Sequence, residues 1–446
     1  MSLKNNLTYP KNKNHSIMKN QFLLVMGVLL FITPFFAQEF NLSGELIPRY
    51  ENRNGFGSLR TEGDGAGGFI SQRTRINFNF KNTKMRFKVA IQNVRVWGDV
   101  ATMAFDDNAI SFHEAWAEAI ISEKLSMKFG RQEIVYDDHR IFGNVDWAQQ
   151  ARSHDAFLLK ITPNKNHRID LGFAYNSDTQ ENIDNLYSNA AGYKTFQYGW
   201  YHGKFNKIEL SFLTLNTGIE YLKYQGTVNE EQTIDFMQTI GPRITFKNQK
   251  INADAALYLQ KGKSINRNVN ALYFGGSFGY EITDRVSAGL GGEYLSGTDM
   301  NATNNDVNSF APLFGTNHKF NGWMDYFYVG NHANNVGLTD IYLTFSFKKD
   351  KFFMKLVPHY FASAAQIVDT NGNKMDNYLG TEIDYVMGYK LTDSIKVKAG
   401  YSQMFATESM EILKGGNSDI TNNWTWLMVT FKPTFFIHKT SKITNN

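Results

Sequence analysis

Arg73 to Gln92 reads RTRINFNFKNTKMRFKVAIQ. In its first half Thr74, Ile76, Phe78 and Phe80 alternate with Arg73, Arg75, Asn77 and Asn79. In its second half Met85, Phe87, Val89 and Ile91 alternate with Arg86, Lys88, Ala90 and Gln92. A period of two puts the two sets on opposite faces of a strand. Only Asn82-Thr83 lies between the halves, so the pair is an antiparallel hairpin with one apolar and one strongly cationic face.

The same alternation recurs along the chain. It appears in HRIDLGFAY (Ile169, Leu171, Phe173, Tyr175) and KINADAALYL (Ile251, Ala253, Ala255, Leu257, Leu259). It appears again in TEIDYVMGY, where Ile383, Tyr385, Met387 and Tyr389 oppose Glu382, Asp384 and Gly388. About eighteen such segments follow, each of roughly the 9–11 residues that a tilted membrane strand needs. After Gln38 no apolar run reaches the length of a spanning helix.

The connections decide between membrane barrel and soluble sandwich. They alternate short and long. Short ones include Ser122-Glu123-Lys124, Pro163 to Asn166, Thr283-Asp284-Arg285 and Thr392-Asp393-Ser394. Long ones are expected near 55–69, 98–109, 133–154, 177–193, 222–233, 262–268, 297–335, 363–377 and 406–422. Segregating long loops to one end is the habit of an outer-membrane barrel, with short periplasmic turns and long extracellular loops. The fold class is therefore all-β: a transmembrane antiparallel β-barrel of about eighteen strands. Trp97, Trp200, Tyr201, Tyr294, Tyr360, Trp424 and Trp426 stand at strand ends, where interfacial girdles are expected.

Composition agrees. The 446 residues are 15% aromatic, with 36 glycines, 8 prolines and no cysteine, which excludes disulfides, thiolate metal sites and a cysteine nucleophile. Residues 1–37 read as a secretory signal: Lys19 precedes an apolar run from Phe22 to Phe36 that ends at Ala37, and Met18 is an alternative start. Those residues hold four lysines and no acid, so the remainder carries 42 basic and 42 acidic side chains. No global field attracts nucleic acid. The barrel is expected over 38–436, with 437–446 as a disordered periplasmic tail. Few residues separate Gln38 from the first strand, which leaves no room for an N-terminal plug. The expected partners are the bilayer, the barrel-assembly machinery and a hydrophilic solute, with the chain a monomer and no cofactor.

One loop concentrates charge. Phe129 to Phe157, FGRQEIVYDDHRIFGNVDWAQQARSHDAF, holds Arg131, Asp137, Asp138, His139, Arg140, Asp146, Arg152, His154 and Asp155 among Tyr136, Phe142 and Trp147. Its Gly130-Arg131-Gln132, its Tyr136–Trp147 cluster and its Arg152-to-Ala156 run resemble the alginate-export family of outer-membrane barrels. FAPLFGTNHKFNGWMDYFYVG, Phe310 to Gly330, followed by Gly337-Leu338-Thr339-Asp340, is similar to a second loop of that family. The resemblance implies an eighteen-stranded passive channel with a charged constriction. In the best-known member that channel conducts a secreted polyuronate, and members serve varied solutes.

Strand parity places cations in the lumen at Arg73, Arg75, Arg86, Lys88, Lys128, Lys160, Arg243, Lys396 and Lys398. It places acids there at Glu114, Glu118, Asp170, Asp254, Glu293, Asp340, Glu382 and Asp384. Cations on early strands and acids on later ones would set a transverse field along which an anion or a polyanionic sugar runs; mutual pairing of the charges is the simpler alternative. Arg95 is a further candidate for the solute path. For the charged loop, Arg131, Arg140 or Arg152 would line a constriction, or Arg131, Asp137, Asp138, Arg140 and Asp155 would pair to hold the loop. Arg131 shares parity with Phe129, which faces it to lipid unless Gly130 marks a bulge. In the second loop His318, Trp323, Tyr326 and Tyr328 would stack on sugar rings or form the core of a lid. Two further readings remain: a weakly selective general porin, and an outer-membrane hydrolase in which His139 and His154 pair with the loop acids as a base–orienter pair or a metal site. No hydrolase or phosphate-loop motif supports the last, so no catalytic residue and no metal ligand is assigned.

Overall fold

The computed structural model describes residues 38–104, 109–180, 182, 186–187, 192–327 and 336–440. The expected signal segment and Tyr328 lie outside them. Nineteen strands form one antiparallel sheet. They are β1 (Gln38–Asn54), β2 (Gly67–Lys81), β3 (Met85–Val96), β4 (Ile110–Ser122), β5 (Leu125–Gln132), β6 (His154–Asn164) and β7 (His167–Tyr175). Next come β8 (Thr195–Phe205), β9 (Ile208–Lys223), β10 (Glu231–Lys247), β11 (Ile251–Ser264), β12 (Arg267–Glu281) and β13 (Val286–Leu295). The last are β14 (Leu338–Lys349), β15 (Phe352–Ala362), β16 (Tyr378–Lys390), β17 (Ile395–Ala406), β18 (Asn422–Phe431) and β19 (Thr434–Thr440). Each of β1 to β18 pairs with its sequence neighbours, and β1 also pairs with β18, which closes an eighteen-strand barrel. Among the described residues there is one α-helix, α1 (Glu408–Lys414), in the last long loop.

Closure leaves no free sheet edge, so every ladder group inside the bilayer has a partner. The alternation then sorts side chains into two media. Ile76, Leu257, Leu259, Phe274, Phe278, Leu290, Leu343 and Phe345 are exposed on the outside and form the apolar belt. Their neighbours Arg73, Glu118, Asp170, Asp340, Glu382 and Asp384 are buried inside.

Three boundaries differ from the sequence reading. Residues 437–440 of the tail expected at 437–446 belong to β19, which pairs with the start of β1 from Gln38↔Thr440 to Ser43↔Thr434, and residues 441–446 lie outside the described ones. Pro433 has no N–H to continue β18, yet its carbonyl accepts the Gly44 N–H at 2.9 Å, and β19 resumes the ladder beyond that break. The connection expected at 262–268 shrinks to Ile265-Asn266, because β11 and β12 pair out to Ser264↔Arg267. Trp200, Trp424 and Trp426 are not girdle residues: their parity on β8 and β18 turns them into the lumen, where they are at most 7% exposed.

Candidate functional site

The 133–153 loop crosses the lumen. On one wall Arg49 of β1 donates to the Trp147 carbonyl at 2.6 Å, and Arg73 of β2 donates to Asp146 Oδ1 at 2.8 Å. Gln149 donates to the Ile47 carbonyl and to Ser71 Oγ, and Gln92 of β3 donates to the Gln150 carbonyl. On the opposite wall Tyr136 donates to Asp170 of β7 at 2.7 Å and Trp200 of β8 donates to Asp137 at 3.1 Å. Arg243 of β10 donates to Asp138 at 2.6 Å. Burial pushes the Asp137 carboxyl up against the pull of these donors. A chain segment anchored on both walls divides the lumen.

The 296–327 segment docks on it. Phe142 and Phe314 form an isolated β-bridge, with Gly143 N–H donating to the Phe314 carbonyl at 2.8 Å. Thr316 N–H donates to the His139 carbonyl, Arg152 to the Gly315 carbonyl and Lys319 to the Asp138 carbonyl. Beneath the junction Phe142, His154, Phe196, Tyr198 and Phe314 form a buried aromatic cluster, each large ring worth about 1.5–3 kcal/mol of burial. The two segments behave as one packed partition.

This arrangement assigns the sequence candidates. Arg140 is 1% exposed and pairs with Glu293 at 3.1 Å and Asn321 at 3.0 Å; burial opposes its charge, but Glu293 beside it raises its pKa. Arg140, Arg152, Asp137 and Arg243 therefore fasten the partition, and Asp137 and Arg243 also border a cavity with Arg168 and Trp200. Arg131 and Asp155 face outward: they pair with each other at 2.9 Å while their side chains are 43% and 63% exposed. Their strand neighbours Phe129 and Phe157 stack on the same outer face at 4.8 Å. Arg95 lies opposite Gln72 in the ladder, bonds Asn93 at 2.9 Å and borders a cavity together with Arg49 and Trp147. Tyr326 is fully buried with its hydroxyl on the Gly55 carbonyl, and Trp323 is held through its backbone N–H on Glu382 and Asp384. The Tyr326 ring is not free to stack on a sugar, whereas the Trp323 ring is half-buried. His318 keeps a place beside the path, bonded to Asp325 at 2.8 Å and stacked on Trp147 at 4.6 Å.

The lumen charges largely pair. Arg73 binds Glu45 at 2.6 Å, Lys160 binds Glu118 at 3.0 Å, Arg86 binds Glu118 at 3.2 Å and Lys88 binds Glu114. Arg75, buried, bonds only the Gln92 amide oxygen among the described residues. The acids of the later strands lie under the partition, so the expected transverse field does not face open water. His139 and His154 do not meet the loop acids: His139 contacts Thr316, and His154 bonds the Tyr193 hydroxyl. Among the described residues one group of metal-ligand types converges, His113, Glu114 and Glu133. His113 already bonds Glu133 at 2.7 Å, Asn144 holds the other Glu133 oxygen and Lys88 neutralises Glu114. Burial opposes the Glu133 charge, but the His113 and Asn144 bonds outweigh it and lower its pKa. The group fits a loop anchor.

Two cavities flank the partition along the β17–β18–β1–β2 wall. The one facing the long loops, of about 610 Å³, is bordered by Arg49, Glu51, Arg53, Phe56, Trp147 and His318. The one facing the short turns, of about 290 Å³, is bordered by Arg49, Arg73, Trp147, Lys396, Lys398 and Lys432. Arg49, Trp147 and Gln149 border both, so the narrowing between them lies there. The Arg49 guanidinium sits 4.0 Å from the Trp147 ring, a cation–π contact that leaves its edge for other acceptors. Lys396 and Lys398 have no ion pair among the described residues. The sequence reading passed over Arg49 and Lys432. The signal for the first was the parity of Glu45, Arg49, Glu51 and Arg53, all odd and all charged.

The family model for alginate export matches residues 39–419. Solved porins share the fold. OccAB4 of Acinetobacter baumannii superposes with a TM-score of 0.60 at 12% identity, over 89% of this chain and 98% of that one. The BenF-like porin of Pseudomonas fluorescens Pf-5 gives 0.58 at 11%, over 89% and 99%. OccK2 of Pseudomonas aeruginosa, solved with glucuronate, gives 0.57 at 12%, over 89% and 97%. No curated protein matches the sequence. The chain belongs to the alginate-export family and is a porin-like β-barrel of the Gram-negative outer membrane.

Proposed function

We propose that this chain is a passive channel for hydrophilic anions of sugar-acid character. The observation that carries the reading is the cationic track past the partition. Arg53 and Arg49 border the outer cavity, and Arg49, Arg73, Lys398, Lys396 and Lys432 the inner one. A carboxylate gains charge-assisted hydrogen bonds at Arg53 and the three lysines, while the buried Arg49 and Arg73 act through their charge. Glu51 on Arg49 and Arg53, and Glu45 on Arg73 and Lys432, hold those cations in place and temper their pull. Conduction requires such weak, repeated sites, since one deep site would trap the solute. Trp147, sandwiched between the Arg49 guanidinium and the His318 ring, fixes Arg49 beside the path. Glucuronate bound to a porin of the same fold is the same ligand chemistry.

The test is liposome swelling with matched concentrations of glucuronate and glucose. The native barrel should admit glucuronate faster, and Arg49→Gln with Lys398→Gln should abolish that preference while leaving glucose entry in place. Equal entry of the two solutes through the native barrel would refute the reading.

A further inference from the structure

Four buried acids on β13, β14 and β16 hold the strap of residues 321–324. Glu293 accepts from Asn321 Nδ2 at 2.7 Å, Arg140 at 3.1 Å and the Tyr273 hydroxyl at 2.6 Å. Asp340 accepts from Asn321 at 3.2 Å and from His359 Nδ1 at 2.8 Å. Glu382 Oε1 accepts the N–H groups of Trp323 and Met324 at 2.6 and 2.9 Å. Asp384 accepts the Trp323 N–H at 3.1 Å and the Ser402 hydroxyl. These acids are at most 7% exposed.

Their charge does not balance. Arg140 and His359 are the cations in contact, and His359 Nε2 stands 3.7 Å from Asp384. Lys355, on the same face of β15, lies 6.0 Å from the Trp323 ring; Lys319 is committed to the Asp138 carbonyl. Of the neighbouring hydroxyls, Tyr273 donates to Glu293 and Tyr326 to the Gly55 carbonyl, and the Tyr342 ring lies 5.3 Å from His359. In direct contact, four carboxylates meet two cations, Arg140 and a protonated His359, and His359 is shared between Asp340 and Asp384. An uncompensated buried charge costs several kcal/mol. Glu382 Oε2 is buried without a donor among the described residues, and Asp384 is its same-face neighbour two residues on.

We infer that a proton held between Glu382 and Asp384 latches the strap over the β13–β17 side of the lumen, closed in acid and released as pH rises. The closed state binds that proton and the open state, with its acids in water, gives it up. Linkage then raises the open-to-closed ratio by up to about tenfold per pH unit over the titration. The turn is built for close approach: Gly322 has φ +80°, and a Cβ there would come within 2.7 Å of the Glu382 carboxyl.

The experiment is single-channel recording in KCl of the purified mature barrel between about pH 5 and about pH 9, a range above the ordinary carboxylate values. Occupancy of a larger conductance level should rise with pH. Glu382→Gln with Asp384→Asn, neutral throughout, should stay in the smaller level at every pH. Gly322→Ala, which unseats the turn by crowding Glu382 while leaving both acids ionisable, should hold the larger level even at the acid end. A native conductance that is flat with pH would overturn the inference, as would a pH response that survives in the neutral pair. Should the neutral pair not fold, a Gly322→Ala barrel with unchanged native gating would overturn it by itself. Ion selectivity is read separately from the reversal potential, so failure here and failure of the anion-channel reading are distinguishable.

Discussion

Arg140→Ala should loosen the partition without unfolding the barrel. The guanidinium is 1% exposed, sits 3.1 Å from Glu293 and 3.0 Å from Asn321 Oδ1, and lies 4.6 Å from the Phe320 ring. Removing one partner of a buried ion pair costs about 3–5 kcal/mol. The lower end applies here, because Glu293 retains Tyr273 at 2.6 Å and Asn321 at 2.7 Å as donors. About 3 kcal/mol corresponds to roughly a 150-fold larger population of undocked loop. The barrel ladder does not involve Arg140, so the loss falls on local opening. Thermolysin cleavage within 133–153, under conditions where reclosing outpaces cleavage, reports that population. Glu293→Gln in the same background should recover part of the loss, since the stranded charge is then gone. A cleavage rate for Arg140→Ala within about threefold of native would refute the assignment of Arg140 as a fastening residue.

Three further outcomes follow from the geometry. Lys396→Gln or Lys398→Gln removes an ammonium about 6 Å from a passing anion. At an effective dielectric between about 20 and about 80 that is roughly 0.7–3 kcal/mol. Screening at about 0.1 M salt halves it, so each change should lower the anion-to-cation permeability ratio by about two- to tenfold. Arg131→Ala should alter neither selectivity nor thermal stability beyond about 1 kcal/mol, because its pair with Asp155 is exposed on the outer face; a changed reversal potential would place it in the lumen. Lys414 in α1 has its Nζ buried with no acceptor among the described residues, 5.6 Å from the Phe327 ring, and burial pulls its pKa down to about 8. Below about pH 8 the folded loop carries this charge at a cost, up to about 3 kcal/mol relative to conditions above about pH 10.5. Lys414→Met should therefore slow proteolysis of the 407–421 loop at pH 7 and show no such gain at high pH; equal cleavage at pH 7 would contradict the burial.

The barrel was legible because water on one side and lipid on the other impose the period of two directly on side chains. Arg73 and Arg75 fell on the correct face by parity, and the same parity turned Arg131 toward lipid. The partition was not legible, because its contacts join positions far apart in sequence: Arg140 to Glu293, Thr316 to His139, Trp147 to Arg49. A charged loop shows its composition but not which wall answers each charge. Tyr326 looked like a stacking ring because a loop aromatic carries no mark of burial, and its hydroxyl partner is the backbone of Gly55. Trp424 and Trp426 were misplaced by a rule about strand ends, when their even positions on β18 already set them inside. The end of the chain failed for a local reason: Pro433 breaks the ladder, yet the partner strand β1 extends past it and recruits β19.

The central claim is that the pathway past Arg49 and Trp147 favours anions although the chain after residue 37 is formally neutral. The most direct test is the reversal potential of the native barrel in a planar bilayer under a KCl gradient, at moderate salt where screening leaves the lumen charges effective. The account predicts the sign set by chloride as the more permeant ion. A potential near zero, or one of the sign set by potassium, would contradict it.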